Sequence, residues 1–552
     1  MSTRAATVVT SKRTMLPRWA ILRHSFAAAR ATWGSPRGGG GGGAAAAAAA
    51  AAAHRASAAT MSSTSSSSEG RLLGQRQRRR FSTFGRRFST FEVVNPTTEE
   101  VIAEIDEDSP ASVIAKYEKL AGGVERWRKT PIVDRKAVLL LFNELLLKHV
   151  DKLASVLTAE IGKPITQARQ EIRASVQRVR YFIDHAEAVL QEELVHQVGR
   201  LSERIVYEPL GVVAHICSWN YPYFISSNVV AAALVTGNTV LFKPSEQTTL
   251  SGQLMEELLH EAGVPGDAFI LTKGGRSTGE TVASLQGLGG LYFTGSYPTG
   301  VRVAELAAPH LVKLQLELGG KDAVYVRHDV ADVAAAAATI ADGAFYNCGQ
   351  SCCSVERIYV DRSVSREFLE SLARNVNAFK QGDPMHEATY LGPVARGQHL
   401  AFLREQLQDA LTKGASVVVG GDIDVAREEG SGFFFPPTVL TNVHHGMKVM
   451  REETFGPLVG VQVVDGDDQA VDLMRDTEYG LTAGVFTRDK AKAEAILRDL
   501  EVGTGYWNCC DRVSPRLPWS GRKNSGVGCT LSMEGLRSFL KSKALHLYQP
   551  AC

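Results

Sequence analysis

The stretch that decides the fold runs from Gly211 to Lys243 and reads GVVAHICSWNYPYFISSNVVAAALVTGNTVLFK. Gly211–Cys217 and Thr239–Lys243 are short apolar runs typical of buried strands, and Ile225–Val235 between them reads as a helix. The same alternation continues as far as Leu316. Short strands that alternate with helices predict a parallel sheet covered on both faces. Such a sheet binds ligands at the carboxyl ends of its strands.

A second alternating region begins near Ala323 and runs to about Glu501. Amphipathic helices at 111–127, 134–161 and 166–195 precede the first region, after a strand and turn at 91–105. Residues 200–208 alternate between polar and apolar side chains, which predicts an exposed strand, and 544–548 is a possible partner for it.

The first 91 residues differ from the rest in composition. They contain fourteen arginines and Lys12 against one acidic residue, Glu69, together with runs of Gly, Ala and Ser. This composition is typical of an organelle transit peptide, with the mitochondrion ahead of the plastid. Arg-Arg-Phe-Ser-Thr-Phe occurs at 79–84 and again at 86–91, so we expect the mature chain to begin near 88–92. A disordered tail or a wrongly assigned gene start is the alternative.

Charge and cysteine usage limit the function classes. The whole chain has a formal charge of +2, so the part after residue 91 is acidic, which argues against nucleic-acid binding. Eight cysteines include two adjacent pairs and form no secreted disulfide framework, and the fourteen histidines show no metal-ligand spacing. We therefore expect neither a metal site nor a membrane span; the run of alanines is too short to cross a bilayer.

A candidate for covalent chemistry is the thiol of Cys352. It lies in Phe345–Arg357, FYNCGQSCCSVER, at the end of a helical run. Glu317 precedes it, on the glycine turn Glu317–Lys321. A thiol needs a base and an electrophile for covalent chemistry.

Three turns that follow strands carry further candidates. Glu246, at the end of LFKPSE, could bind a ribose hydroxyl. Alternatively, the segment is an ordinary helix start, with Ser245 as the N-cap and Glu246 in the first turn. Ser296 in FTGSYPTG opens a helix whose N-terminus suits an anion, although the G-x-G-x-x-G spacing is absent. Asn220 in SWNYP could donate to an oxyanion or simply form a turn.

The motifs CSWNYP, FKPSE, FTGS, LELGGK, GQSC and EETFGP occur in that order. This order resembles the aldehyde dehydrogenase superfamily over essentially all of residues 92–552. The resemblance implies that Cys352 is the nucleophile, that Glu317 is the base that activates water, and that Asn220 helps to bind the oxyanion. It implies NAD as cofactor, with NADP less favoured because of Glu246, and a small-molecule aldehyde as substrate. The implied cofactor residues are Trp219, Lys243, Glu246, Gly295, Ser296, Glu453 and Phe455, and the implied substrate residues are Tyr221, Phe224, Arg516 and Trp519.

By the same resemblance we expect an α/β fold with two Rossmann-like parallel-sheet domains and a small β flap for oligomerisation, as a homodimer or homotetramer. The expected dinucleotide-binding domain covers 92–318, with oligomerisation strands near 196–209. The catalytic domain covers 319–520, and 521–552 form the C-terminal return and oligomerisation strand. Lys321 and Arg357 are expected to be structural, and Cys348, Cys353 and Cys509-Cys510 have no expected catalytic role.

The sequence departs from the family pattern at three places. Ser218 replaces a common proline, and Asn228-Val229 replace a common lysine near the cofactor. In the loop 508–526, Arg516 could bind a carboxylate of the substrate, or the arginines there could pair with Asp511 or neighbouring acids at a subunit contact. Two alternatives to hydrolytic oxidation remain: a CoA-acylating enzyme, which would not need Glu317, and an inactive binding protein on the same fold.

Overall fold

The computed structural model describes residues 89–422 and 431–550. The predicted transit peptide therefore lies almost entirely outside the described residues. The described chain begins with an antiparallel hairpin, continues through four helices and reaches two antiparallel strands. These elements are β1 (Thr90–Val94), β2 (Val101–Asp106), α1 (Pro110–Lys129), α2 (Ile132–Lys148), α3 (Val150–Ile161), α4 (Ile165–Leu190), β3 (Glu193–Val198) and β4 (Leu201–Pro209).

The first parallel sheet has the spatial order β9-β8-β5-β6-β7. Every residue of its strands β5 and β6 is buried, because helices cover both faces of the sheet. Its elements are β5 (Val212–Ile216), α5 (Pro222–Val235), β6 (Thr239–Lys243), α6 (Thr249–Glu261), β7 (Phe269–Leu271), α7 (Arg276–Ala283), β8 (Gly290–Thr294), α8 (Tyr297–Ala307) and β9 (Lys313–Glu317).

The second sheet has the order β12-β13-β14-β11-β10-β16-β17 and is parallel except for the β12–β13 pair. The remaining elements are β10 (Asp322–Val326), α9 (Val333–Phe345), β11 (Val355–Asp361), α10 (Ser365–Ala378), α11 (Gly397–Thr412), β12 (Ser416–Val419), β13 (Thr438–Thr441), β14 (Leu458–Val464), α12 (Asp467–Arg475), β15 (Tyr479–Gly480), β16 (Thr482–Phe486), α13 (Lys490–Asp499), β17 (Thr504–Trp507), β18 (Arg522–Lys523), β19 (Gly526–Val527), α14 (Ser532–Arg537) and β20 (Leu540–Tyr548).

The C-terminal strands return to the first half of the chain. β19 pairs antiparallel with β9, placing Gly526 opposite Glu317. Gly526 has a φ of +142°, and a Cβ there would lie 2.2 Å from the carbonyl oxygen of Leu316, so only glycine fits. β20 pairs antiparallel with β4, which confirms the predicted pairing of 544–548 with 201–207. A three-stranded sheet β20-β4-β3 results.

Local sequence explains where several helices begin. Ser109 caps α1 by accepting from the N–H of Ser112, and Pro110 occupies the first turn, where its missing N–H costs nothing. Asp332 caps α9 by accepting from the N–H of Ala335. These caps satisfy backbone donors that have no partner inside the helix.

The predicted α/β class with two parallel-sheet regions is confirmed, and two helix predictions are wrong. The expected helix 134–161 is two helices separated at His149. The prediction missed this break because the apolar spacing of the sequence continues across it. The expected helix 166–195 ends at Leu190, and Leu194 and Val195 belong to β3. Both side chains are more than half exposed, so their apolar character marks a sheet surface. The domain boundaries remain a prediction.

Candidate active site

A cavity of about 700 Å³ lies where β5, β6, β8 and β9 end. This is the edge at which parallel sheets bind ligands. The sequence separated the candidate residues by more than two hundred positions, and the fold brings them to this one cavity. Its lining includes all the predicted catalytic and cofactor residues: Trp219, Asn220, Lys243, Glu246, Gly295, Ser296, Glu317, Cys352, Glu453 and Phe455.

The loop that carries Cys352 turns sharply after α9. Asn347, Cys348 and Gly349 have φ values of 53°, 58° and 69°, a left-handed run that reverses the chain. The Gln350 side chain holds the turn, because its Nε2 donates to the Asn347 carbonyl at 3.2 Å and its Oε1 accepts from a backbone N–H at 2.9 Å. Cys352 is partly buried and reaches the cavity.

The neighbouring thiols have different surroundings. Cys353 is buried, and its Sγ donates to Asp511 Oδ1 at 3.1 Å, which also accepts from Ser351 Oγ at 3.4 Å. The contact with Cys352, together with burial, raises the pKa of Cys353 well above its ordinary value. Cys348 is buried and donates to a backbone carbonyl. Of the three cysteines in this loop, only Cys352 lines the cavity.

Asn220 is held from several sides. Its Nδ2 donates to the Gln350 carbonyl at 3.2 Å, and its Oδ1 accepts from Ser218 Oγ at 3.0 Å. Lys163 Nζ donates to the Asn220 carbonyl at 2.7 Å and forms a buried ion pair with Glu171. The amide is therefore fixed beside the Cys352 loop, with its second Nδ2 proton free to donate.

Glu317 is the last residue of β9 and is 8% exposed. Its Oε1 accepts from Gln315 Nε2 at 2.6 Å and from Thr530 Oγ1 at 3.3 Å, whereas its Oε2 is buried with no partner among the described residues. Burial raises the pKa of Glu317 well above its ordinary value, and the two hydrogen bonds oppose that shift. A raised pKa makes the ionised carboxylate a stronger base.

The opposite part of the cavity combines cations, a carboxylate and a helix N-terminus. Lys243 is buried, and burial lowers its pKa while Glu246 acts in the opposite direction. At the start of α8, Ser296 Oγ contacts Thr299 Oγ1 at 3.0 Å and does not accept from the helix backbone. The first-turn N–H groups of α8 are therefore available to an anion.

Glu453 and Phe455 lie on a segment fixed by a buried ion pair. Lys321 Nζ donates to Glu356 at 2.7 Å, and the Glu356 carboxylate accepts from the N–H groups of Thr454 and Phe455, both at 2.8 Å. Burial and the charge of Glu356 raise the pKa of Glu453 to about 8. Lys321 thus holds cavity residues in place and does not line the cavity itself.

The glycine turn after Glu317 allows the two halves of the cavity to approach. A Cβ on Gly319 would lie 2.4 Å from the carboxylate oxygens of Glu453. The N–H of Gly320 donates to Glu453 Oε1 at 3.0 Å. Any larger residue at Gly319 would displace the carboxylate. Arg357, also expected to be structural, donates from Nε to the Lys321 carbonyl at 2.9 Å.

The predicted substrate residues do not line this cavity. Tyr221 lies beneath Lys163 Nζ, 3.8 Å from its ring centre, and the Phe224 ring is 6.2 Å from that of Tyr221. Trp519 is buried and packs in the same apolar cluster as Cys352. Arg516 is exposed and forms no ion pair with any residue in 89–422 or 431–550; its expected pairing with acids at a subunit contact stays a prediction.

Sequence reasoning missed several residues that line the cavity, among them Arg396, His399 and Phe402. Arg396 lies 5.5 Å from the ring centre of Trp219, and His399 Nε2 donates to the carbonyls of Thr454 and Phe455. They lie at the start of α11, whose pattern reads as an ordinary amphipathic helix. No local motif marks them.

In the part of the chain that the structure covers, no group of three or more His, Cys, Asp or Glu side chains could hold a metal ion. Within the same ranges, none of the helices has the length and apolar character needed to span a bilayer.

Comparison with known sequences decides the family. The sequence model of the Aldehyde dehydrogenase family matches residues 84–545. The chain belongs to the aldehyde dehydrogenase family. This aldehyde dehydrogenase therefore oxidises an aldehyde with NAD or NADP. The predicted family is confirmed.

Three relatives illustrate the similarity of this aldehyde dehydrogenase to known ones. A succinate-semialdehyde dehydrogenase [NADP(+)] from Deinococcus radiodurans is 35% identical over 83% of this chain and 95% of its own. A betaine aldehyde dehydrogenase from Agrobacterium fabrum is 33% identical over 83% and 92%. The crystal structure of a Staphylococcus aureus betaine aldehyde dehydrogenase in complex with NAD+ has a TM-score of 0.80 and 30% identity, and the match covers 84% of this chain and 95% of that one. The names of these relatives include both cofactors.

Proposed function

We propose that this chain catalyses the hydrolytic, NAD-dependent oxidation of an aldehyde to a carboxylic acid, with Cys352 as nucleophile. The observation that carries the proposal is the common cavity: a thiol, a carboxylate with a free buried oxygen and an amide donor line it together. Covalent aldehyde chemistry needs these three groups at one carbonyl.

In the first step the Cys352 thiolate adds to the aldehyde carbon and forms a thiohemiacetal. The thiolate is the reactive form of cysteine. The oxygen that becomes negative accepts hydrogen bonds from Asn220 Nδ2 and from the backbone N–H of Cys352. Donors fixed before the reaction stabilise this charge more than mobile water does. Ser218 and the Cys352 loop hold the Asn220 amide in that position.

The lining supports a dinucleotide cofactor, which when bound supplies the acceptor for the hydride that leaves the substrate carbon. Lys243 and Glu246 would bind the adenosine ribose, and Ser296 with the N-terminus of α8 would meet the pyrophosphate. Glu453 and Phe455 would hold the nicotinamide ribose and ring. The carboxylates, the cation and the helix end all line one cavity of about 700 Å³.

After oxidation the acyl group is bonded to Cys352 as a thioester, which water must cleave. Glu317 accepts a proton from that water, the water oxygen attacks the thioester carbon, and the Cys352 thiolate leaves. The unpartnered Oε2 is the oxygen that can accept the proton. The raised pKa of Glu317 strengthens it for this task.

We propose NAD in preference to NADP because of Glu246. The carboxylate can hydrogen-bond a ribose 2′-hydroxyl and would repel a 2′-phosphate. Arg396 and Lys243 are both close enough to Glu246 to interact with it electrostatically.

Glu317 also discriminates between the proposed reaction and its alternatives. A CoA-acylating enzyme passes the acyl group to a thiol and needs no base for water. An inactive binding protein would have no reason to bury an unpartnered carboxylate oxygen, which costs free energy, beside a thiol. The geometry of Glu317 favours hydrolysis.

The experiment is NADH formation with a broad panel of aldehydes. Activity should require Cys352: Cys352→Ala should abolish NADH formation while NAD still binds. Cys509→Ala is the matched control, because Cys509 is a partly buried thiol outside the cavity, and it should retain activity. Turnover by Cys352→Ala would refute the nucleophile, and no NADH with any aldehyde would refute the enzyme.

We further propose that residues 1–91 direct the chain to an organelle, the mitochondrial matrix ahead of the plastid. The support is their arginine-rich, acid-poor composition. A fluorescent protein fused after residue 91 should co-localise with a mitochondrial dye, and deletion of 1–91 should leave it in the cytosol. Unchanged distribution after the deletion would contradict the proposal.

A further inference from the structure

Arg178 is a buried cation near the reactive thiol, and it has no anionic partner among residues 89–422 and 431–550. It lies on α4 and is 2% exposed. Its Nη1 donates to Asn228 Oδ1 at 2.6 Å, and its Nη2 donates to the Val513 carbonyl at 3.3 Å. Its Cζ lies 3.1 Å from the ring centre of Phe224. All three contacts are neutral.

Arg178 forms no ion pair with any of the described residues, and the only charged groups that act on it are farther away. Burial lowers the pKa of Arg178 well below its ordinary value, and negative charge on Cys353, Cys352 and Glu171 opposes that shift. Glu171 is already neutralised by Lys163. Cys353 has a pKa raised well above the usual range and so carries little charge. A buried guanidinium without a matched anion is costly, and a bound carboxylate would relieve that cost.

The position of Arg178 relates it to the proposed reaction centre. Helix α5 begins two residues after Asn220, which touches the Cys352 loop. Phe224 and Asn228 are four residues apart and therefore share a face of α5, and Arg178 contacts both. The guanidinium thus lies about one to two helical turns, roughly 6–12 Å, from Asn220.

Arg178 is not part of the cavity assigned to the cofactor. Neither Arg178 nor Phe224 lines that cavity, so Arg178 is not among the residues that would meet the pyrophosphate. The guanidinium has five N–H groups, and the contacts to Asn228 and Val513 use two of them. The remaining donors can bind a carboxylate.

We propose that Arg178 binds the carboxylate of a short aliphatic aldehyde whose carbonyl reaches Cys352, so that the preferred substrates are semialdehydes. The inference rests on the proposed function and adds the charge of the substrate to it. Tyr221 and Phe224, whose rings are 6.2 Å apart, would pack along the carbon chain. The sequence offered Arg516 either as a ligand for a substrate carboxylate or as a partner of nearby acids; this inference gives the carboxylate to Arg178.

Asp511 is the group that would favour the opposite charge. It is close to Cys353 and Tyr221, and a cationic aldehyde could bind it. Its Oδ1, however, already accepts from Cys353 and Ser351. Burial raises the pKa of Asp511 to about 6, and Arg512 acts in the opposite direction. Arg178 forms no ion pair with any of the described residues. We therefore favour a substrate that carries a carboxylate over a cationic one.

The test compares three aldehydes with the full chain and NAD: succinic semialdehyde, its neutral methyl ester, and the cationic betaine aldehyde. We expect kcat/KM for the acid to exceed that for the ester by at least about tenfold, as buried Arg–carboxylate recognition implies. Equal use of acid and ester, or a preference for betaine aldehyde, would overturn the inference.

Variants separate recognition from a structural role. Arg178→Gln should lower the acid-to-ester ratio of kcat/KM by about tenfold or more, mainly through KM, and Arg178→Lys should restore part of it. Arg180→Gln is the matched control, because Arg180 lies on the same helix and pairs with Asp184 at the surface, and it should keep the ratio. An equal loss for acid and ester in Arg178→Gln would show a structural role only and overturn the inference.

A measurement on the unaltered protein tests the inference even if the Arg178 variants do not fold. Succinate should slow alkylation of Cys352 by iodoacetamide, and dimethyl succinate should not; equal effects would overturn the inference. Cys352-dependent oxidation of the ester without preference for the acid would overturn this inference alone. The absence of NADH with these three aldehydes and with every aldehyde of the broad panel would overturn the proposed function itself.

Discussion

At Glu317 burial and hydrogen bonding act in opposite directions on one carboxylate, and burial dominates. A base must be ionised, so thioester hydrolysis should slow as the pH falls through this raised pKa. We expect the hydrolysis rate, measured in a single turnover after NADH release, to rise with pH in the unaltered protein. In Glu317→Gln the hydrolysis rate should be lower by about a hundredfold or more, within the range of general-base catalysis. The rise of that rate with pH should also disappear. The same rise of the hydrolysis rate with pH in Glu317→Gln would contradict the role of Glu317.

Glu246 should set the cofactor preference. The unaltered chain should use NAD with a higher kcat/KM than NADP, and Glu246→Gln should raise kcat/KM for NADP by about tenfold, because the repulsion of a 2′-phosphate is removed. Glu257→Gln, an exposed carboxylate on α6, is the control and should change neither value. An NADP preference in the unaltered chain would contradict the proposal.

Among the elements, the junction between α3 and α4 supports the proposed oxyanion site. Lys163 donates to the Asn220 carbonyl, and its partner Glu171 accepts from the N–H of Tyr223 at 2.9 Å, at the start of α5. The buried ion pair therefore orients Asn220 from two sides. A loss of orientation should act on the transition state more than on cofactor binding.

Lys163→Met should lower kcat by about tenfold to a hundredfold, somewhat less than the loss of one oxyanion donor, with little change in the Kd of NAD. It should also lower the free energy of unfolding by about 3–5 kcal/mol, because Glu171 would be left buried without a cation. Lys152→Met, at an exposed position on α3, is the control. An unchanged kcat in Lys163→Met would contradict the positioning role.

Sequence reasoning succeeded where an element and its function share a short motif. Cys352, Glu317 and Glu246 each lie in or beside a turn that follows a strand or helix. The neighbouring glycines and prolines indicate those turns in the sequence. It failed where function depends on contacts between distant segments. Arg178, which touches Asn228 and Val513, has no local signal, because its neighbours come together only on folding.

For the whole molecule, the three-stranded sheet β20-β4-β3 is the surface on which we expect oligomerisation. Its exposed apolar side chains are unusual for a solvent-facing sheet; they include Leu194, Val195, Val198, Leu547 and Tyr548, which are 45–69% exposed. The size of the chain and its net charge gave no indication of this surface. The alternation in 200–208 predicted the pairing of β4 with β20, whereas Leu194 and Val195 of β3 were assigned to a helix, so the apolar face of the sheet was missed.

Light scattering should give the mass of a homodimer or homotetramer for the mature chain. Leu194→Lys combined with Val198→Glu should shift it toward the monomer, because charges would be buried at the apolar contact. Val301→Lys is the control, because Val301 lies on α8, outside this sheet, and is 39% exposed. A monomeric unaltered chain would contradict the expectation.

The central claim is that Cys352 carries the acyl group and Glu317 directs its hydrolysis. The most direct measurement is peptide mass spectrometry of Glu317→Gln after incubation with NAD and an aldehyde that the unaltered chain oxidises. The account predicts that the peptide containing Cys352 gains the mass of the aldehyde less two hydrogens, with the adduct on Cys352 and not on Cys353. NADH formation without that adduct, or an adduct on a different cysteine, would contradict it.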